Sequence, residues 1–351
     1  MKNQITHSRP TLSNAETKAV CNVLRSKQIA KGKKVERFEH LFSQTLKIKN
    51  AVAVNSGSSA LHMALLALGV KQGNEVIMPS YACSALLNAV LYVRATPVIV
   101  DVNEDDFNIS LEAVRKKMTN KTKAIIVVHN FGLPADIRPL KSLGIPIVED
   151  CAHAIGAKYK HKLVGNWGDI SIFSFYATKM ITTAEGGMVA SNKVKLTNHV
   201  RDLIDYDQKK QFKLRYNYKM TDLAACIGIE QLKQLPHFIA KRQQIADQYT
   251  HLLKDTEWKR PHDFKNRKHV YFRYIINKKA RSHIQKISDQ LNQKGIECER
   301  PVFQPLHRLW KRTRCPVTDK LMMTAISIPI YPSLTLKQSR SIAQNLLQVL
   351  K

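Results

Sequence analysis

The sequence predicts an α/β protein. A large domain is built on a mostly parallel sheet covered by helices, and a smaller C-terminal α/β domain follows. Three observations carry this. The runs PVIVDV (97–102), KAIIVVH (123–129) and IPIVED (145–150) are apolar throughout rather than at alternate positions, as in strands buried on both faces. Segments with helical spacing of apolar residues separate such runs, which is how parallel strands are joined. After GGMVAS the pattern changes to a long helical stretch and then a smaller α/β series, which puts the boundary near 235–255. The expected units are therefore 1–240, with an N-terminal arm over about 1–20, and 241–351.

In chain order, AVAV (51–54) reads as a strand, and NSGSS turns the chain into the helical ALHMALLALGV. EVIMP (75–79) is a strand and SALLNAVLYVR a helix. The three runs above follow as strands, then DISIFSF (169–175) and GGMVAS (186–191). TDLAACIGIEQLKQL and HFIAKRQQIADQYTHLLKD read as a long helix broken or kinked near Pro236, which lacks an N–H and crowds the preceding turn. HVYFRYIIN (269–277) is expected as a strand, SHIQKISDQLNQKG as a helix, IECERPV and ISIPIYP as strands. TLKQSRSIAQNLLQVL is expected as a final helix capped by Thr335.

The chain of 351 residues is long enough for a sizeable core, and 44% of it is hydrophobic. No apolar stretch reaches the length of a membrane span, and MKNQITHSRPTLSNAE lacks a signal-peptide core. The six cysteines stand singly, which points to reduced thiols and a cytoplasmic protein. Lys and Arg number 56 against 27 Asp and Glu, a formal charge of +29. Such a charge suits nucleic acid, an anionic surface or a phosphorylated small substrate. The cations are spread along the chain, with enrichment over 258–320. No zinc finger, RNA-binding signature or basic strip interleaved with aromatics is present, so nucleic acid is a weak expectation.

Open parallel sheets bind ligands beyond the carboxyl ends of their strands. After AVAV come Asn55, Ser56, Gly57, Ser58 and Ser59, entering a helix whose start can hold a phosphate. An ordinary capped helix explains the same residues. After IPIVE come Asp150, Cys151, Ala152 and His153. Here a capping carboxylate and a core histidine are the plain alternatives, and no second ligand pair supports a metal. After ISIF come Ser174 and then Lys179, a single ammonium at the end of a buried-looking segment. Burying an unpaired charge is costly unless the group loses its proton. A phosphate cradle, a carboxylate and an isolated amine are the set that pyridoxal 5′-phosphate (PLP) requires for its phosphate, pyridine nitrogen and aldehyde.

These residues sit in a longer pattern: SRPTLS, GKKVERFEHLFS, AVAVNSGSSALHMALLALGV and GNEVIMPSYACSALLNAVLYVRATPVIVDVN. VVHNFGLPADI, VEDCAHAIGAKYKHKLVGNWGDISIFSFYATKMITTAEGGMVASN, YNYKMTDLAACIGIEQL, PLH and SIPIYPSLT follow. In this order the chain resembles, from about Ser8 to its C-terminus, the DegT/DnrJ/EryC1/StrS family of PLP-dependent sugar aminotransferases of the aspartate-aminotransferase fold type. The resemblance implies that Lys179 is the catalytic residue, joined to PLP as an internal aldimine. It implies that Asp150 pairs with the pyridine nitrogen and that His153 meets the ring hydroxyl. Ser58, Ser59 and Ser174 would bind the phosphate, and Asn217 would reach the phosphate site of a neighbouring subunit in a homodimer. Tyr176 and His307 lie in segments that approach the substrate in relatives. The implied reaction moves an amino group from an amino acid, L-glutamate for preference, to a keto-sugar nucleotide.

Three positions depart from the family pattern. Cys83 stands where an aromatic ring commonly stacks on the cofactor, with Tyr81 nearby as a substitute. Arg215-Tyr216-Asn217-Tyr218-Lys219 replaces the usual Gly-Tyr-Asn-x-Arg, so Lys219 keeps a charge but loses bidentate carboxylate recognition. Ser58 replaces a common Thr. Relatives that dehydrate sugars carry histidine in place of the lysine, which Lys179 argues against. A cyclitol substrate, or a basic regulatory paralogue, remains an alternative on this scaffold.

Overall fold

The computed structural model describes residues 4–278, 284–310 and 313–350. Its strands are β1 (Asn50–Val54), β2 (Glu75–Pro79), β3 (Thr96–Val100), β4 (Thr122–Val128), β5 (Ile147–Asp150), β6 (Lys158–Tyr159), β7 (Lys162–Leu163), β8 (Ile170–Ser174), β9 (Gly187–Ser191), β10 (Arg267–Lys268), β11 (Tyr274–Asn277) and β12 (Ala325–Ile328). The seven-stranded central sheet has the order β1-β9-β8-β5-β4-β2-β3. Neighbours pair in parallel from β8 through β3, while β9 runs antiparallel to both β8 and β1. The fold is α/β with a mostly parallel sheet, as the apolar runs predict.

Both sheet faces are buried, which is why those runs do not alternate. Val54, Met78, Ile126 and Ile172 face one apolar layer with Leu61, Leu65 and Val90. Ala53, Phe173, Met188 and Ala190 face another with Phe38, Phe42 and Leu232. The helices behind these layers are α1 (Asn14–Ser26), α2 (Lys33–Leu46), α3 (Gly57–Ala67), α4 (Ala85–Tyr92), α5 (Leu111–Lys117), α6 (Ile137–Lys141), α7 (Val194–Ile204) and α8 (Asp222–Leu252). α9 (Ile284–Gln293), α10 (Leu306–Leu309), α11 (Pro316–Thr324) and α12 (Leu336–Leu350) complete the described set. A further apolar cluster joins Ile245, Tyr249, Tyr274, Ile276, Leu291, Ile326 and Leu346.

The C-terminal part differs from the sequence expectation in four places. α8 runs unbroken for 31 residues through Pro236. Leu232, Leu235 and Phe238 pack into one core and Ile245 and Tyr249 into the next, and this burial offsets the roughly 3 kcal/mol cost of an internal proline. The expected strand 269–277 is reduced to β11. Val270 donates to the Gly132 carbonyl (3.0 Å) and Arg273 to that of Phe131 (3.1 Å), while Tyr271 adopts φ +51°, so the segment docks on a loop instead. IECERPV makes only single bridges among the described residues, Ile296 with Ile5 and Glu299 with Ser327. The strand expected in ISIPIYP ends at Ile328, where Pro329 cannot extend the ladder. Thr335 caps α12 as expected, its hydroxyl oxygen accepting from the Gln338 N–H at 3.2 Å. Residues 282 and 283 of the expected SHIQKISDQLNQKG helix lie outside the described residues.

One buried acid fixes the edge of the site. Glu149 on β5 is wholly buried and accepts from His129 Nε2 (2.9 Å) and from the N–H groups of Gly165 (2.5 Å), Trp167 (2.9 Å) and Gly168 (2.8 Å). Burial opposes its ionisation, but these donors outweigh it and hold its pKa below the ordinary 4.5. His129 Nδ1 accepts from the Ala135 N–H at 2.9 Å, so the imidazole proton lies on Nε2. Glu149→Ala strands four buried donors and is expected to lower unfolding free energy by at least about 3 kcal/mol in urea titrations. The folded-state pKa is depressed. The wild-type contribution is therefore complete above pH 4.5 and is lost as pH falls through the lower folded value. Glu149→Gln should flatten that part of the acid limb.

Candidate active site

Three strand ends converge on a cavity of about 240 Å³ lined by Ser58, Cys83, Asp150, His153, Ser174, Tyr176 and Lys179. At the end of β1, Ser56 caps α3, its hydroxyl oxygen accepting from the Ser59 N–H at 3.0 Å. Ser59 Oγ turns inward to Asn55 Oδ1 at 2.6 Å, whereas Ser58 is exposed toward the cavity. Gly57 lets the helix start lie against the end of β8, since a Cβ there would stand 2.8 Å from Ser174 Cβ. A helix start carrying the Ser58 hydroxyl, with the Ser174 hydroxyl of β8 beside it, is a suitable cradle for a phosphate.

Asp150 ends β5 and is only 3% exposed. Its Oδ1 accepts from the Ala152 N–H at 2.9 Å. Burial raises its pKa above the ordinary 3.8, opposed by that hydrogen bond and by the Lys179 charge. His153 stacks between Phe272 (4.4 Å, 14°) and Phe131 (5.9 Å, 16°). Burial first, then the nearby Lys179 and Arg273 charges, push its pKa well below 6.5, so the ring is neutral at pH 7. Its Nδ1 is buried without a hydrogen-bond partner.

Lys179 follows β8, and its backbone N–H donates to the Tyr176 carbonyl at 2.9 Å. Its ammonium stands 5.2 Å from the centre of the Phe272 ring. Burial lowers its pKa from 10.5 to about 8, with Asp150 and Cys83 opposing the change and Arg273 adding to it. At pH 7 roughly one amine in ten is then neutral, against roughly one in three thousand for an ordinary lysine.

Several residues singled out in the sequence lie elsewhere. Ser59 belongs to the helix cap. Asn217 is exposed and outside the cavity lining, its carbonyl accepting from Asn55 Nδ2 at 3.3 Å. Lys219 Nζ pairs with Asp207 at 2.5 Å and covers the Tyr206 ring, away from the cavity. His307 is not a surface residue. It is 4% exposed, lies 2.6 Å from Ser80 Oγ through Nδ1, and lines a separate groove. Tyr81 is wholly buried against Phe107 and Phe131, so it does not supply the ring that Cys83 lacks. Tyr176 stands at the mouth, 48% exposed.

Sequence reasoning missed Asn130 and Glu185, which line the cavity, and Phe272, which packs behind His153 and Lys179. Nothing local marks Phe272, whose segment reads as a strand. Asn130 follows the apolar run of β4, and the rule of strand ends could have found it. His129, Glu149 and Cys151 cluster closely enough to hold a metal, but the hydrogen bonds above already engage Glu149 and both nitrogens of His129.

The model of the DegT/DnrJ/EryC1/StrS aminotransferase family matches residues 10–347. The chain belongs to this family. It is 37% identical over 344 residues to the GDP-perosamine synthase of Escherichia coli O157:H7, covering 94% of each chain. Helicobacter pylori PseC, an aminotransferase of pseudoaminic acid biosynthesis, superposes with a TM-score of 0.93 at 27% identity, covering 99% of both chains. A Streptococcus pneumoniae protein described as a sugar aminotransferase, in its PLP-form, gives 0.91 at 26% identity over 99% of this chain and 100% of that one.

Two outcomes follow from this geometry. The rate at which the Lys179 amine reacts with a small aldehyde, followed by absorbance, should rise with pH through about 8 and then level off, because only a neutral amine is nucleophilic. A profile centred on the ordinary lysine value would contradict the burial argument. Gly57→Ala forces α3 and β8 apart and is expected to destabilise the protein by about 1–3 kcal/mol and to weaken PLP binding, read by thermal melting and spectral titration.

Proposed function

We propose that the protein is a PLP-dependent aminotransferase that moves an amino group from an amino acid, L-glutamate, to a keto-sugar nucleotide. The observation that carries this reading is the half-buried, pKa-lowered Lys179 in one cavity with Asp150, Ser58 and Ser174. The donor set fits PLP. Ser58, Ser174 and the start of α3 would hold its phosphate, and Asp150 its pyridine nitrogen. The unpartnered His153 Nδ1 would meet its ring hydroxyl. When bound, PLP supplies an aldehyde that exchanges amino groups and a ring that accepts an electron pair.

The chain's own residues do the rest. Burial leaves roughly one Lys179 Nζ in ten without its proton at pH 7, the form that would bond an aldehyde carbon and carry a proton. Asp150 resists ionisation by its burial, and a protonated pyridine nitrogen would give its carboxylate the charge partner it lacks. Phe131 and Phe272 stack with His153 and would hold that ring in place where it lines the cavity. The relative named GDP-perosamine synthase favours a GDP-linked amino sugar as product. The formal charge of +29 would draw a diphosphate toward the protein.

The same reading makes the active unit a homodimer. Tyr206 (45% exposed), Phe212 (99%) and Leu214 (65%) share one segment with the exposed Asn217, an apolar set that a second copy would cover. Asn217 would then serve the partner's phosphate site.

Adding PLP should produce a visible absorbance band, which L-glutamate should convert to one in the near ultraviolet. Lys179→Ala is expected to lower transamination by at least about 10²–10⁴-fold while the far-ultraviolet spectrum and sedimentation coefficient stay unchanged. Unaltered turnover in that variant would refute the assignment. A monomer in sedimentation velocity would refute the shared site.

A further inference from the structure

Six thiols are present, and the fold treats them unequally. Cys151, Cys226, Cys298 and Cys315 are buried, while Cys21 and Cys83 are exposed. Cys21 lies on α1, outside the cavity lining. Cys83 follows β2 and lines the Lys179 cavity. That cavity is built for a ligand on independent grounds: Asp150 lines it at 3% exposure, and His153 Nδ1 is buried there without a partner.

We propose that Cys83 is a modification site gated by the cofactor, open to soft electrophiles and small disulfides when the cavity is free and shielded when PLP fills it. The inference rests on the PLP reading above. Leu61, Ala82, Ala85 and Leu86 of the same lining are unreactive, and Cys83 is the one thiol, the soft nucleophile, among the lining residues. With iodoacetamide the Cys83 sulfur forms a bond to carbon as the carbon–iodine bond breaks. Iodide leaves and the thiol proton passes to water. With a small disulfide a new S–S bond forms as the old one breaks, and a thiolate leaves. Either adduct occupies volume that the ring requires, so modification and cofactor uptake exclude each other.

The test compares iodoacetamide labelling of Cys83 and Cys21 by peptide mass spectrometry, without PLP and with PLP at saturation. In the free protein both should react. With PLP at one hundred times its Kd the Cys83 rate should fall about a hundredfold, as the free-site fraction does, and the Cys21 rate should hold. Alkylation of free Cys21→Ser protein should abolish the visible PLP band. In Cys83→Ser the reagent should make no difference to PLP uptake, whatever that uptake is. A Cys83 that labels equally fast beneath an intact PLP band overturns this proposal and leaves the PLP reading standing. So does a Cys83 that stays unlabelled in free protein while Cys21 reacts. Absence of any PLP band in untreated, folded protein overturns both.

Discussion

Two adjacent carboxylates at the end of β5 govern how the site is held. Glu149 and Asp150 are both buried, but successive residues of a strand face opposite sides of the sheet. Glu149 meets a closed ring of donors from His129 and the 165–168 loop and is held in its ionised form. Asp150 meets one backbone N–H and a cavity, and its burial pushes its pKa up. The satisfied acid anchors the strand end rigidly, so the unsatisfied one can be presented to a ligand. Environments that drive neighbouring groups apart in this way separate a structural role from a chemical one.

The support behind His153 and Lys179 comes from far along the chain. Arg242 in α8 is buried and donates to the carbonyls of Tyr271 (3.1 Å), Phe272 (3.1 Å) and Ile330 (2.7 Å). This guanidinium ties α8, the segment before β11 and the segment after β12 together. Phe272 is thereby set against His153 and beneath the Lys179 ammonium. The low proton affinity of Lys179 comes first from its burial, and the charge of Arg273, the residue next to Phe272, adds to it.

The strong positive charge is largely separate from this chemistry. Lys219 and Arg215, the cations expected near a substrate, are engaged with Asp207 and Asp202. Arg308 and Lys320, beside His307, are paired with Asp319 and Glu104. A net positive surface acts on any anion as a long-range field, whereas the cavity itself is lined by Ser58, Ser174, the start of α3 and Lys179.

The sequence by itself determined the central sheet and the three strand ends that carry Ser58, Asp150, Ser174 and Lys179. Strands buried on both faces must be apolar throughout, and a lysine or carboxylate that interrupts such a run stands out. Tertiary structure alone decided the rest. Whether a proline breaks a helix depends on what the helix packs against, and α8 packs against two cores. Whether His307 is exposed, Ser59 faces inward or Tyr81 reaches the cavity depends on side-chain direction and on partners hundreds of residues away, such as Ser80 for His307. Phe272 reaches His153 because Arg242 and the loop carbonyls of Phe131 and Gly132 hold its segment there. Local periodicity records burial; it does not record which distant group completes a hydrogen bond or a stack.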